Sequence, residues 1–252
     1  MTLLSWWELH VESLRIRTGA SPSNRGGPYI VCHDRRHYLS EPVGVSDIVE
    51  QPLRLGFLAS GGGSNMQAIL DACSDGRLLC EARVVVGNNS KSGALIRARD
   101  AGIACYHLSG HTHPDPGALD AAICDALQQH EVQVICLVGY MKLLGPRTLA
   151  SFRGHILNIH PGLLPRHGGQ GFYGLRVHEA VLAAGETESG ATVHIVDAVY
   201  DNGPVLTQAR VPVEPGDTPE TLAARVLEQE HWLFPETLQK IARGEIDLSR
   251  YV

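Results

Sequence analysis

The stretch LRLGFLASGGGSNMQAILDACSDG, residues 53–76, decides the fold. Its first seven residues form a short apolar run of the kind a buried strand needs. Three glycines follow as a tight turn. The next segment, MQAILDACSDG, has apolar residues at helical spacing and reaches Gly76, a natural C-terminal cap. Strand, glycine turn and helix together are the opening half of a βαβ unit.

The same alternation continues downstream. EARVVVGN (81–88) predicts a second strand, with successive β-branched valines. SGALIRARDAG (92–102) predicts a helix stopped at Gly102, and IACYHL (103–108) a third strand. ALDAAICDALQQH (118–130) predicts a helix, and VQVICLVGY (132–140) a fourth strand. Four strands alternating with helices between residues 53 and 140 indicate a Rossmann-like, doubly wound α/β sheet with a parallel N-terminal part. Farther on, HILNI (155–159) ends a strand and LRVHEAVLAAG (175–185) reads as a helix. GATVHIVD (190–197) and GPVLTQARVPV (203–213) predict an antiparallel, hairpin-like pair. The closing helix is capped by Asp217 or Thr218, and Pro235 divides or kinks it.

Ligands of such sheets bind beyond the carboxyl ends of the strands. The loops to inspect are therefore SGGGSN (60–65), GNNSKS (87–92), GYMKLLGP (139–146) and HPGLLPRHGGQGFYG (160–174). The first offers glycine backbone and a helix N-terminus to an anion. Met66 stands where a dinucleotide fingerprint needs its third glycine, and the lysine of a P-loop is missing. A single phosphate, with Ser64 and Asn65 assisting, fits better than a dinucleotide.

Asn158 and His160 flank the apolar Ile159, so period two puts both polar side chains on one face. An amide and an imidazole there can polarise a carbonyl and stabilise an oxyanion. From the residues alone, His160 is equally a strand-end imidazole bonded to backbone. Asp201, in the turn Tyr200-Asp201-Asn202-Gly203, can orient His160 and favour its protonated form. From the residues alone, an ordinary turn aspartate followed by Asn-Gly is the stronger reading.

Composition excludes other classes. The formal net charge of −6 argues against a phosphate-backbone binder, hence no nucleic acid partner. No apolar run approaches the roughly 18 residues of a membrane span, and no secretory signal is visible. The thirteen histidines show no metal-ligand spacing with carboxylates or cysteines, so no metal is expected. Of the scattered His107, His130, His155, His167, His178, His194 and His231, most are expected at the surface or at hydrogen-bonded boundary positions. The six cysteines read as reduced core thiols of a cytoplasmic protein. Residues 1–51 lack any clear period and are expected to be an irregular N-terminal extension, disordered or not translated. Residues 52–252 are expected to form one domain that carries the candidate site.

Five segments in order, SGGGSNMQAILDAC, LVGYMKLL, ILNIHPGLLP, DNGPVLTQARV and ARVLEQEHWLFP, resemble the phosphoribosylglycinamide formyltransferase family. The resemblance implies transfer of a formyl group from 10-formyltetrahydrofolate to the amine of phosphoribosylglycinamide, in purine biosynthesis, by a monomer or homodimer. Asn158, His160 and Asp201 correspond to the family's catalytic groups. Gly63, Ser64 and Asn65 would hold the ribotide phosphate, and Glu230 its amino end. Met141, Lys142, Leu143 and Leu144 would line the folate pocket, largely through backbone. With them stand Asn158, Asp201 and the loop Asp197, Ala198, Val199, Tyr200. The resemblance further implies a cis Leu164–Pro165 bond. Lys142 replaces the family's usual arginine, and the loop 166–174 is longer than the common form. A formyltetrahydrofolate deformylase and a non-catalytic Rossmann-like binding module are the rival readings.

Overall fold

Leu53–Ala59 forms strand β1, buried from Leu55 onward. The computed structural model describes residues 51–252, and the expectation for the N-terminal extension lies outside them. After β1 come α1 (Ser64–Ser74), β2 (Cys80–Gly87), α2 (Gly93–Asp100), β3 (Ala104–His107), α3 (Pro116–Gln129) and β4 (Val134–Leu137). Next are α4 (Pro146–Ser151), β5 (Ile156–His160), α5 (Leu175–Ala183), β6 (Glu188–Ile195), β7 (Val205–Pro212) and α6 (Pro219–Ala242). A short 3₁₀ turn, Leu248–Tyr251, follows.

The seven strands lie in the order β3-β2-β1-β4-β5-β6-β7. The first five are parallel, β6 runs antiparallel to β5, and β7 antiparallel to β6. The expected parallel sheet with antiparallel strands toward the C-terminus is thus present. Its strand order reverses between β1 and β4, which opens a crevice at their carboxyl ends. The two loops that leave those ends are tied together. Ser60 N–H donates to the Gly139 carbonyl at 3.0 Å, and Met141 N–H to Ser60 Oγ at 2.9 Å.

Both faces of the sheet are covered. On one, Met66 and Ile69 of α1 and Leu222, Val226, Phe234 and Leu238 of α6 pack against Phe57 and Leu157. On the other, Ile123 and Leu127 of α3 and Phe152 pack against Leu58 and Ile135. Burying each such side chain contributes about 1.5–3 kcal/mol to holding the strand frame beneath the crevice.

Several expectations are corrected. Cys73 and Cys80 are joined in a disulfide, with Cα atoms 5.8 Å apart. The last turn of α1 and the start of β2 sit across a short connection, which brings the two side chains together. Cys105, Cys124 and Cys136 are free thiols. Of the two caps that the sequence offers for α6, Thr218 is the one used, in a reciprocal capping box with Thr221. Asp217 instead pairs with Arg225 at 2.8 Å. Helix α6 runs through the buried Pro235 without division. The six-residue α4 has no counterpart in the sequence reading, because PRTLAS is too short to show a period.

Candidate functional site

The glycine turn begins the site. Gly63 takes a left-handed conformation (φ 75°) and serves as N-cap of α1 without a side-chain cap. The first N–H groups of the helix are therefore left free for a ligand. A Cβ on Gly63 would stand 2.9 Å from the Ala94 backbone, so α2 closes the turn from behind. Asn65 faces inward, and its Nδ2 donates to Glu230 Oε2 at 2.6 Å across to α6. The other amide atom, Asn65 Oδ1, is buried and has no partner. Burial raises the Glu230 carboxyl to about 7, against the opposing hydrogen bond from Asn65.

On the antiparallel side, Asn158 pairs with His194 across β5 and β6. Its Nδ2 donates to His194 Nε2 at 3.1 Å, while His194 Nδ1–H donates to the Ile195 carbonyl at 2.9 Å. The second hydrogen on Asn158 Nδ2 remains available. Asp201, held at φ 52°, reaches both imidazoles: Oδ2 lies 3.4 Å from His160 Nδ1 and Oδ1 lies 3.5 Å from His194 Nε2.

The long loop closes over this pair. His160 Nε2–H donates to the His167 carbonyl at 2.9 Å, and Gly169 N–H donates to Asp201 Oδ2 at 2.9 Å. Arg166 anchors the loop's base through Glu186 at 2.6 Å. Leu164–Pro165 is cis, as the resemblance implies.

The charges follow from these contacts. Burial lowers His160, and it outweighs the pull of Asp201 in the other direction. The His167 carbonyl fixes a proton on Nε2, and Nδ1 faces the Asp201 carboxylate, so a proton at Nδ1 has a ready partner. Burial pushes Asp201 up, but His194, His160 and the Gly169 N–H together bring it below the usual carboxylate range.

A cleft of about 810 Å³ joins the two sides. Asn65, Glu230, Met141, Asn158, His160, Tyr200 and Asp201 all line it. Gly63 and Ser64 are not among the residues that line it. Lys142 and Leu143 are exposed, and the Leu144 side chain points into the core beside Leu137 and Phe152. Asp197 shapes its own loop, accepting from Val199 N–H at 2.8 Å and Asn202 Nδ2 at 3.3 Å. Ala198 and Val199 lie within that loop, between Asp197 and the cleft-lining Tyr200.

Two further site residues are not singled out by the sequence. His194 is 2% exposed and touches both Asn158 and Asp201. His178, 3% exposed on α5, lines the cleft with its Nδ1 unpartnered, and burial lowers it. The strand alternation that exposed Asn158 would have flagged His194, had the β5–β6 register been known. Among the described residues, no cluster of three histidine, cysteine or acidic side chains is arranged to hold a metal. No described helix is long and apolar enough to cross a membrane.

The geometry can be set beside known proteins. A family model described as formyl transferase matches residues 53–238. The phosphoribosylglycinamide formyltransferase of Escherichia coli K12 is 37% identical over 191 residues, covering 76% of this chain and 88% of that protein. The chloroplastic phosphoribosylglycinamide formyltransferase of Vigna unguiculata is 40% identical over 77% of this chain, which spans only 62% of that longer relative. The crystal structure of glycinamide ribonucleotide transformylase 1 from Symbiobacterium toebii superposes with a TM-score of 0.72. It is 41% identical, covering 77% of this chain and 89% of that one. On the matched domain and these relatives, the chain belongs to the formyl transferase family, among the phosphoribosylglycinamide formyltransferases.

Proposed function

We propose that residues 52–252 transfer the formyl group of 10-formyltetrahydrofolate to the amine of phosphoribosylglycinamide. The observation that carries this reading is the convergence of Asn158, His160 and Asp201 on one cleft with Asn65 and Glu230. A second support is the buried, unpartnered Asn65 Oδ1, an acceptor that matches an N–H donor of the glycinamide. Glu230 is the acidic partner for the amine beside it. The ribotide phosphate takes the free N–H groups of the Gly63–Asn65 turn. The folate enters between the Met141–Leu144 segment and the Asp197–Tyr200 loop.

The neutral amine attacks the formyl carbon, forming a C–N bond, and negative charge gathers on the formyl oxygen. Asn158 donates its second Nδ2–H to that oxygen. His160 supplies its Nε2–H once the His167 carbonyl yields it, so the long loop shifts before chemistry. Asp201 stabilises positive charge on His160 and helps carry a proton from the amine to the leaving folate nitrogen through water. The bond from that nitrogen to the formyl carbon then breaks. Preorganised donors of this kind act where charge develops.

The test is direct. Purified protein is mixed with 10-formyltetrahydrofolate, with and without phosphoribosylglycinamide. Folate turnover is expected only with the ribotide. Equal turnover in water alone would point to a deformylase and reject this reading.

A further inference from the structure

The glycine turn is gripped from behind by α2. The Gly61 carbonyl accepts from Ala94 N–H at 3.2 Å, and the Gly62 carbonyl accepts from Arg97 Nε–H at 3.1 Å. In a trans peptide the carbonyl and the following N–H point in opposite directions. The N–H groups of Gly62 and Gly63 are therefore turned away from α2. Neither they nor those of Ser64 and Asn65 bond to another group among the described residues.

A peptide between two glycines flips at little steric cost. Arg97 opposes such a flip at the Gly62–Gly63 bond, and it is itself fixed. A second donor, Nη1, bonds to Gln67 Oε1 at 3.0 Å, and Gln67 Nε2 bonds to Asp71 Oδ1 at 2.8 Å. One side chain thus links α2, the turn and α1. Gly93 permits the close approach, because a Cβ there would stand 2.7 Å from the same Gly62 oxygen.

We infer that Arg97 is a positioning residue for phosphate binding: its bond to the Gly62 carbonyl locks the Gly62–Gly63 peptide with its N–H presented to the anion. This rests on the ribotide reading above. It differs from a simple through-space attraction, because the hydrogen bond rather than the charge does the positioning.

Two substitutions separate those effects. In Arg97→Gln the Nε2 donor stands as many bonds from the Cα as arginine Nε, so the bond is kept and the charge lost. Arg97→Met loses both. Arg97→Met is expected to raise KM for the ribotide about tenfold, the worth of one charge-assisted bond. Its kcat and its KM for the folate should change much less, and Arg97→Gln should recover most of the lost affinity. An unchanged KM in Arg97→Met overturns the inference, and so does an equal loss in Arg97→Gln. Should Arg97→Met not fold, Gly93→Ala presses on the same carbonyl and should raise the same KM; no rise overturns the inference. Inorganic phosphate, followed by amide shifts of Gly63 and Ser64, gives a second readout. If phosphate binding keeps the order wild type, Arg97→Gln, Arg97→Met while the ribotide supports no turnover, the formyl-transfer reading fails and the role of Arg97 stands.

Discussion

The parallel and antiparallel halves of the sheet meet a ligand by different means. At the end of β1 the site is backbone: a glycine turn, free N–H groups and a helix terminus, with α2 as a wall behind. At the ends of β5 and β6 it is side chains: an amide, two imidazoles and a carboxylate, each touching another. A backbone site recognises a fixed anion and needs only shape. A side-chain site can move protons, and it needs several groups in register. The two halves should therefore fail differently when altered.

The largest effect belongs to the side-chain half. His160→Ala and Asp201→Asn should each lower kcat by about 10²–10⁴-fold, the usual worth of general acid–base groups. Folate and ribotide affinity should be largely kept, since the anion turn is untouched. Steady-state kinetics with both substrates varied gives the check. A variant with near-normal kcat and a raised KM would mean that the side-chain half binds rather than reacts.

This contrast also explains what the sequence made legible. SGGGSN was readable because a backbone site depends on consecutive residues, and its strand, turn and helix are contiguous. Asn158 and His160 were readable because they share one strand and one face. Asp201 is a candidate from its turn, but only the family resemblance favours it over an ordinary turn aspartate, since nothing in forty intervening residues tells where its turn will land. His194 was missed for a related reason: its place beside Asn158 comes from antiparallel pairing between β5 and β6. The Cys73–Cys80 bond was missed because neither spacing nor composition shows that a helix end and a strand start abut. Local chemistry was thus legible, whereas contacts set by register and loop closure were not.

Glu230 joins the halves, and its effect on stability depends on pH. Its folded-state value is raised from 4.5 to about 7, chiefly by burial. The unfolded chain loses this proton near 4.5, so the contribution of the neutral carboxyl is complete below that pH. It is lost as pH rises through about 7, where the folded protein must hold a buried charge. Relative to Glu230→Gln, the wild type should lose about 3 kcal/mol between pH 4.5 and 7. Urea unfolding of both proteins at pH 5 and pH 8 measures this. A stability difference that does not move with pH would place the carboxylate in a more polar setting than the contacts imply.

The smallest effect lies in the backbone half, and there three neighbouring glycines separate shape from chemistry. A Cβ on Gly61 or Gly62 meets nothing within 4 Å, and neither residue has the left-handed conformation. Gly63 has φ 75° and a wall at 2.9 Å, formed by the Cα and Cβ of Ala94. The methyl group of Gly63→Ala must therefore strain the turn or push α2 back. It should cost about 2 kcal/mol of stability, while Gly61→Ala and Gly62→Ala stay within about 0.5 kcal/mol of wild type. Urea unfolding of the three variants gives the order. In ribotide kinetics, Gly63→Ala should raise KM more than it lowers kcat, the reverse of Asp201→Asn. Equal losses at all three positions would mean that the run is uniformly strained, and α2 would no longer be the wall that shapes the anion site.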